Sequence, residues 1–524
     1  MKKIRIIGLF LLCGLCGYFF SCNDFLYEDP KGKLTEEIFF GSNEDLQMSL
    51  HALFNSIMIT GQATNFLSFA WAGDDITTNP ETANKQTYRE FDRFAPSDIG
   101  YFDGWVNFYS IVRKANFIIV NADKTPTTQT NIEQAIGQAR FWRAYAHYIL
   151  VRVWGPIPLT LGTEVQYDLP LSSVEDVYKL IVEDLQYAEE RLPSAWSTEP
   201  QRLNGTDVYV TDGGAKAMLA HVYLTMGGWP LKQQDKFALA AAKAKEVIDG
   251  VASGKYYYEL YPNYGDVYKL ANNSSKEDII SIRYNIDWDY GGSAMTSLPC
   301  LLASAGGWDD YWGEIKFWNE MPDGPRKDAV YSPKVYQNAT ETVVDWWETP
   351  ECHPQIMNMA EGPNRTEFDY TKSGNETNWI GEKTHKVFRY AELLLTYAEA
   401  QARADGTPNT LAYQCINEVR NRAGLGNLTA GLSGADFAAA AVAEHGWEVA
   451  GYFWNNIACR FFDMQRAELL EEHFNYRKAN PGVYITAANR TIKEGVTLEG
   501  TWNADRAYAP YPAEDKALNP NLTR

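Results

Sequence analysis

Apolar residues recur at three- and four-residue spacing over long stretches of this chain, and each stretch ends on a helix-stopping residue. In GQARFWRAYAHYILVRVW (137–154), Ala139, Trp142, Ala146, Ile149 and Leu150 share one helical face, and Gly155-Pro156 stops the pattern. Ser172 or Ser173 opens SVEDVYKLIVEDLQYAEERL, whose stripe is Val174, Val177, Leu180, Ile181, Leu185 and Ala188. Glu175 and Asp176 fall in its first turn, where the helix dipole favours acids, and Leu192-Pro193 closes it. Ala215 to Met226 and Phe237 to Ile248 read as two more helices, parted by Gly227-Gly228-Trp229-Pro230. Further on, Arg389 to Arg403 places Tyr390, Leu393, Leu394, Tyr397 and Ala398 on one stripe. Leu411 to Arg422 pairs with it across a Gly406–Pro408 turn. Many of the contact positions are alanine, which lets helices approach closely, as in tetratricopeptide-type hairpins. The spacing does not fit a strict 34-residue repeat, so scattered helical pairs are expected.

Two stretches break this pattern. Lys2, Lys3 and Arg5 precede 15 mainly apolar residues, Ile6 to Phe20. That run is short for a membrane span of roughly 20 residues and suits an export leader. The small Ser21 before Cys22 predicts cleavage at Cys22, with lipid on its thiol; the polar Asn23-Asp24 would begin the mature protein. No later segment reads as a bilayer span. From Ile279 to His385 helical periodicity disappears, and Gly, Pro, Asn, Asp and Trp alternate with short apolar pieces such as DIISIRY. This stretch holds seven of the 16 tryptophans: Trp288, Trp308, Trp312, Trp318, Trp346, Trp347 and Trp379. Residues 66–104 form a second irregular region. The organisation expected is a leader over 1–21 and one domain over 22–524. Its mainly α scaffold would span about 30–278 and 386–524, with a loop-rich insert over about 279–385, where binding groups tend to sit.

Composition narrows the function. A 45% hydrophobic, 22% charged chain is ordinary globular protein. The formal net charge of −20 becomes −23 once the three basic residues of the leader are removed, which argues against nucleic acid and against electrostatic binding to anionic lipid. Contact with a membrane would be through the anchor only. Aromatic residues reach 14%; such rings must either fill a core or bind something with flat apolar faces. Beyond the leader and Cys22 there are four cysteines: Cys300, Cys352, Cys415 and Cys459. No C-x-x-C pair suggests zinc. A Cys300–Cys352 disulfide and buried free thiols both fit. The seven histidines form no metal-spaced cluster and no loop matches a calcium site, so neither metal nor cofactor is expected.

The adjacent acids Asp74-Asp75 and Asp309-Asp310 invite a hydrolase reading. Glycoside hydrolysis, however, needs two carboxylates about 5–10 Å apart across a bond, which sequence neighbours seldom provide. Arg389, Glu392 and Glu399 have the spacing of structural ion pairs between packed hairpins. Sugar binding asks for flat aromatic faces against pyranose C–H groups and for carboxylates, amides or guanidinium groups on the hydroxyl rim. GGWDDYWGE (306–314) offers both, in Trp308, Tyr311 and Trp312 beside Asp309 and Asp310. Trp288-Asp289-Tyr290 repeats the pattern, and Trp346-Trp347 is a third candidate. Trp105, Trp142 and Trp154 lie in helices and are assigned to the core.

One family carries these features in the same order. The motifs are Cys22-Asn23-Asp24-Phe25-Leu26, Gly73-Asp74-Asp75, and Trp105, Tyr109 and Ile111 leading to Ala115-Asn116. ARFWRAYAHYILVRVWGPIPL (139–159), the 173–193 helix and AKAMLAHVYL (215–224) follow. FRYAELLLTYAEA (388–400), INEVRNRAG (416–424), RFFDMQR (460–466) and YPAEDKALNPNL (511–522) complete the series. Over nearly its whole length the chain resembles the SusD/RagB-like nutrient-binding outer-membrane lipoproteins of Bacteroidetes. The resemblance implies four tetratricopeptide-like hairpins with a variable, loop-rich binding region. It implies a cell-surface, lipid-anchored protein without catalysis, which captures oligosaccharide and delivers it to a SusC-like TonB-dependent transporter. It also adds Trp71, Asp74, Tyr88 and Arg89 to the candidate site. Oligopeptide capture, as in the RagB branch, is the alternative within the fold, and a surface glycoside hydrolase the alternative outside it. The family usually has Glu-Arg-x-x-Glu-Leu before the RFFDMQR run. Here Glu444-His445-Gly446-Trp447-Glu448-Val449 stands instead, so a local structural ion pair is expected to change.

Overall fold

A computed structural model describes residues 39–61, 72–79, 99–164, 166–285, 293–294, 298–363, 365–373, 380–494, 498 and 500–523. The fold is mainly α. Its long helices are α1 (Asn43–Ile59), α2 (Ile99–Asn121), α3 (Gln129–Trp154), α4 (Val174–Arg191), α5 (Asp212–Gly227) and α6 (Asp235–Ala252), then α7 (Tyr390–Asp405), α8 (Thr410–Arg422) and α9 (Gly434–Glu448). The shorter α10 (Arg460–Arg466) and α11 (Leu470–Ala479) follow. Side chains of Ser42, Thr128, Ser173, Thr211, Asn409 and Ser433 accept hydrogen bonds from first-turn N–H groups of α1, α3, α4, α5, α8 and α9, satisfying donors that have no partner within the helix. Gly155 and Gly406 end α3 and α7 at φ of 73° and 70°, a conformation that costs glycine little.

Consecutive helices pack on one another from α1 through α6, and α7 docks on α6 across the intervening insert. The small residues sit where helices touch: Ala215, Ala217 and Ala220 of α5, Ala240 and Ala244 of α6, and Ala391, Ala398 and Ala402 of α7 are buried. Trp105, Trp142 and Trp154 are buried in this core, as their helical positions predict. The stripes read from the sequence leave α1 and α9 unassigned, although α1 buries Leu46, Leu50, Leu53 and Ile57 at helical spacing; α9 is built mostly of small residues.

Strand β1 (Ile76–Thr77) precedes α2. Later come β2 (Asp278–Ile282), β3 (Trp312–Gly313), β4 (His385–Arg389), β5 (Gly482–Ile485) and β6 (Arg490–Lys493). β2 and β4 pair antiparallel, with His385 opposite Ile282 and Arg389 opposite Asp278. The chain therefore leaves the scaffold and returns to it at one ladder. Between these strands, short helices (Ile315–Glu320, Pro325–Val330) and two-stranded ribbons replace regular structure. A second, smaller core forms here from Leu302, Trp312, Ile315, Val335 and Trp346, closed by Ile485 and Ile492 of the β5–β6 hairpin. That closure by the C-terminal hairpin has no counterpart in the sequence reading.

Buried charges pin the ladder to the helices. Arg389 donates to Glu277 at 2.8 Å and to Glu448 at 2.7 Å, and Arg422 reaches the same two acids. Arg326 bonds Glu444 and Glu448 at 2.7 and 3.1 Å. Burial works to raise the Glu448 pKa, but Arg422, Arg389 and Arg326 together outweigh it and hold it at about 2. Thus both glutamates of the altered 444–449 motif keep their ion pairs. His445, in the place the family usually gives to arginine, turns its Nδ1 to Asp463. A Cβ at Gly446 would stand 2.8 Å from the Arg460 guanidinium, so a larger residue there would press on the group that holds Asp74. Glu399 bonds Arg466 through both oxygens at 2.7 and 2.8 Å, the structural role its spacing suggested. Cys300, Cys352, Cys415 and Cys459 form no disulfide, and all but the half-buried Cys352 are buried, which favours the buried-thiol reading over a Cys300–Cys352 bond.

Candidate functional site

The 298–314 segment folds back on itself as a tightly tied loop. Gly307 N–H donates to Leu302 O, Trp308 N–H to Leu298 O, Asp309 N–H to Leu301 O and Asp310 N–H to Pro299 O, at 2.7–3.1 Å. Gly306 has φ 90° and Asp309 has φ 60°, both left-handed, and aspartate tolerates that region better than most residues. A Cβ on Gly307 would lie 2.0 Å from the Leu301 carbonyl oxygen, so no larger residue fits this turn. Glu351 clamps the loop from outside, accepting from Ser304 N–H and Ser304 Oγ at 2.8 Å each. Gln355 accepts from Leu302 N–H.

This frame sorts the candidate aromatics. Trp308 stands out from the loop with 46% of its surface exposed. Tyr311 is fully buried, edge-on to Phe453 at 5.2 Å. Trp312 is 4% exposed: its ring stacks on His353 at 4.3 Å, and its backbone pairs with Thr77 as β3 joins β1. Trp346 is 2% exposed, edge-on to Trp318 and to Trp347 at 5.2 Å each. Trp347 is half-buried. Of these rings, Trp308 alone is exposed; Tyr311, Trp312 and Trp346 have protein on their faces, so the expectation that they stack on sugar meets rings already engaged. Trp71, Tyr88, Arg89, Trp288 and Tyr290, with Cys22, lie outside the described residues.

The acids are equally sorted. Asp309 accepts from Trp312 Nε1 and, at 2.8 Å, from Asn79 Nδ2. Burial pushes its pKa up to about 6, against the pull of the Trp312 bond. Asp310 is buried. Asp74 is held by Arg460 at 2.6 and 2.7 Å; burial would raise its pKa, and the guanidinium brings it below the ordinary value. Asp75 accepts from Gly451 N–H at 2.8 Å, and burial, then the neighbouring Asp74 charge, raises it to about 7. Asp74 and Asp75 thus tie the 72–79 segment to the C-terminal half. Four supports of the Trp308 loop, namely Asn79, Glu351, His353 and Gln355, carried no sequence signal: each is a polar residue in an aperiodic stretch.

Residues 250–524 match the SusD family, and residues 24–224 match a family described as "Starch-binding associating with outer membrane". The chain belongs to the SusD family. A SusD-like protein of Bacteroides ovatus is 26% identical over 547 aligned residues, spanning 96% of this chain and 95% of its own length. Among solved structures, one with a xylogluco-oligosaccharide superposes with a TM-score of 0.71 at 22% identity, covering 91% of this chain and 98% of that one. A laminarin-binding SusD-like protein superposes at 0.69 with 18% identity, covering 92% and 98%. At these identities the structural likeness shows a shared fold. The mainly α, SusD-like architecture expected from the motifs is therefore the one the chain adopts.

Proposed function

We propose that this protein is a glycan-binding lipoprotein of the outer-membrane surface, anchored through Cys22, which captures oligosaccharide without cleaving it and passes it to a SusC-like TonB-dependent transporter. The observation that carries the reading is Trp308. A large indole left open to water loses the favourable burial of its apolar area, and this one sits on a loop too constrained to let it fold away. An indole face is suited to a pyranose C–H face. Fixing the ring in advance lowers the entropy lost when a ligand binds. A structure with a xylogluco-oligosaccharide and a laminarin-binding SusD-like protein share the fold, which supports glycan over peptide. The acids near the loop are engaged in structural hydrogen bonds, which favours binding over hydrolysis. With Trp308 the one exposed ring among the described candidate residues, affinity belongs in the micromolar to millimolar range. The test is calorimetric titration of glycan-array hits against wild type and Trp308→Ala. Unchanged affinity in the variant, or selective retention of peptides, overturns the reading.

A further inference from the structure

A second aromatic cleft lies elsewhere, lined by residues that take no part in the 298–314 loop. Its volume is about 290 Å³, and Trp229, Trp502, Gln465, Glu468 and Glu471 line it. Each indole is half-buried and braced. Trp229 lies against Tyr508 at 5.2 Å with the planes 35° apart, and Trp502 against Phe474 at 5.8 Å. The segment carrying Trp229 cannot slide. Trp229 N–H donates to Arg466 O at 2.9 Å, and a Cβ on Gly228 would meet that same oxygen at 2.4 Å. Gln465 is fixed by donating to Arg152 O and Ala507 O at 2.8 and 2.9 Å, which leaves its amide oxygen as an acceptor. Glu468, at φ 59°, bonds the exposed Lys232 at 2.7 Å. Glu471 is exposed in the first turn of α11.

We infer that this cleft is a second saccharide subsite, taking one or two pyranose units of a chain whose main hold is at Trp308. Two braced indoles supply apolar faces, and Gln465, Glu468 and Glu471 supply acceptors for hydroxyl pairs, which is the division of labour a pyranose requires. The cleft is slightly below the usual range for a drug-sized ligand, so it fits a short stretch of sugar and not a long one. The inference rests on the glycan reading above. It adds that a polymer engages the protein at two places, so that its avidity exceeds that of a short oligosaccharide.

The deciding experiment screens the mature protein and its Trp308→Ala, Trp502→Ala and double variants on a glycan array, with circular dichroism to check the fold. Polymeric hits that Trp308→Ala weakens and the double variant loses are expected, together with about tenfold weaker retention of Trp502→Ala on polymeric glycan and little change on short oligosaccharides. Glu471→Ala, an exposed substitution that leaves packing alone, is expected to weaken the same hits severalfold; it serves as the readout where Trp502→Ala fails to fold. Absence of any hit sensitive to Trp502 or Glu471 overturns the second subsite and leaves the Trp308 reading intact. Hits sensitive to Trp502 but not to Trp308 overturn the Trp308 reading instead.

Discussion

Arg460 grips Asp74 through two hydrogen bonds, Nε to Oδ1 at 2.6 Å and Nη2 to Oδ2 at 2.7 Å, across 386 residues of sequence. This bidentate pair joins the irregular 72–79 segment to α10, and both side chains are largely buried. Removing one partner leaves the other charge without compensation. Arg460→Met is therefore expected to destabilise the fold by about 3–5 kcal/mol, read from urea unfolding. Asp74→Asn, which keeps hydrogen-bonding groups and shape, is expected to cost less. Equal stability of Arg460→Met and wild type would remove this pair from the structural account.

Asp75, one residue on, makes stability depend on pH. Its folded pKa of about 7 lies above the ordinary 3.8, so between those values the folded state binds more protons than the unfolded one. Stability then falls as pH rises from about 4 to 7. Asp75→Asn, which still accepts from Gly451 N–H, is expected to flatten that slope. The measurement is Tm of both proteins from pH 4.5 to 7.5; parallel curves would contradict it.

Trp308 and Trp312 are four residues apart and should behave oppositely. Trp308→Ala is expected to weaken glycan binding by about tenfold with stability changed by no more than about 0.5 kcal/mol. Trp312→Ala opens a cavity against His353 in the second core and is expected to cost about 3–5 kcal/mol. It would lower binding only by loosening the loop. Calorimetry paired with denaturant unfolding separates the two effects, and a stable Trp312→Ala protein would show that the ring is not a packing element.

The Gly307 turn gives a sharper test of presentation. Gly307→Ala forces a methyl group against the Leu301 carbonyl, displacing the loop without touching the indole. Reduced affinity is expected, with at most about 1–3 kcal/mol lost in stability. Wild-type affinity in this variant would mean that loop geometry does not govern the site.

Thiol chemistry follows from burial. In protein lacking residues 1–22, Cys352 alone should react with Ellman's reagent under native conditions, because Cys300, Cys415 and Cys459 are buried and burial pushes their pKa values up to about 12. All four should react in denaturant. Two thiols missing from the denatured count would signal a disulfide.

What could be read along the chain was what repeats. The stripes through Ala139–Leu150 and Tyr390–Ala398, the Ser173 cap and the Gly155 and Gly406 stops are local devices, and a helix follows from local devices plus one apolar face. The family motifs located the same scaffold, and Arg389, Glu392 and Glu399 announced ion pairs by their spacing. The 306–314 segment behaved otherwise: Trp308, Tyr311 and Trp312 look alike in sequence, all aromatic beside acids in an aperiodic run. Tertiary structure decided which ring faces water. Trp312 is covered by His353, 41 residues on, and its core is closed by Ile485 and Ile492, more than 170 residues on. Asp74 and Asp75 were claimed by Arg460 and Gly451. Periodicity reports the face a residue turns within its own element. In a loop no period defines that face, so exposure depends on distant partners that only the folded chain brings into place.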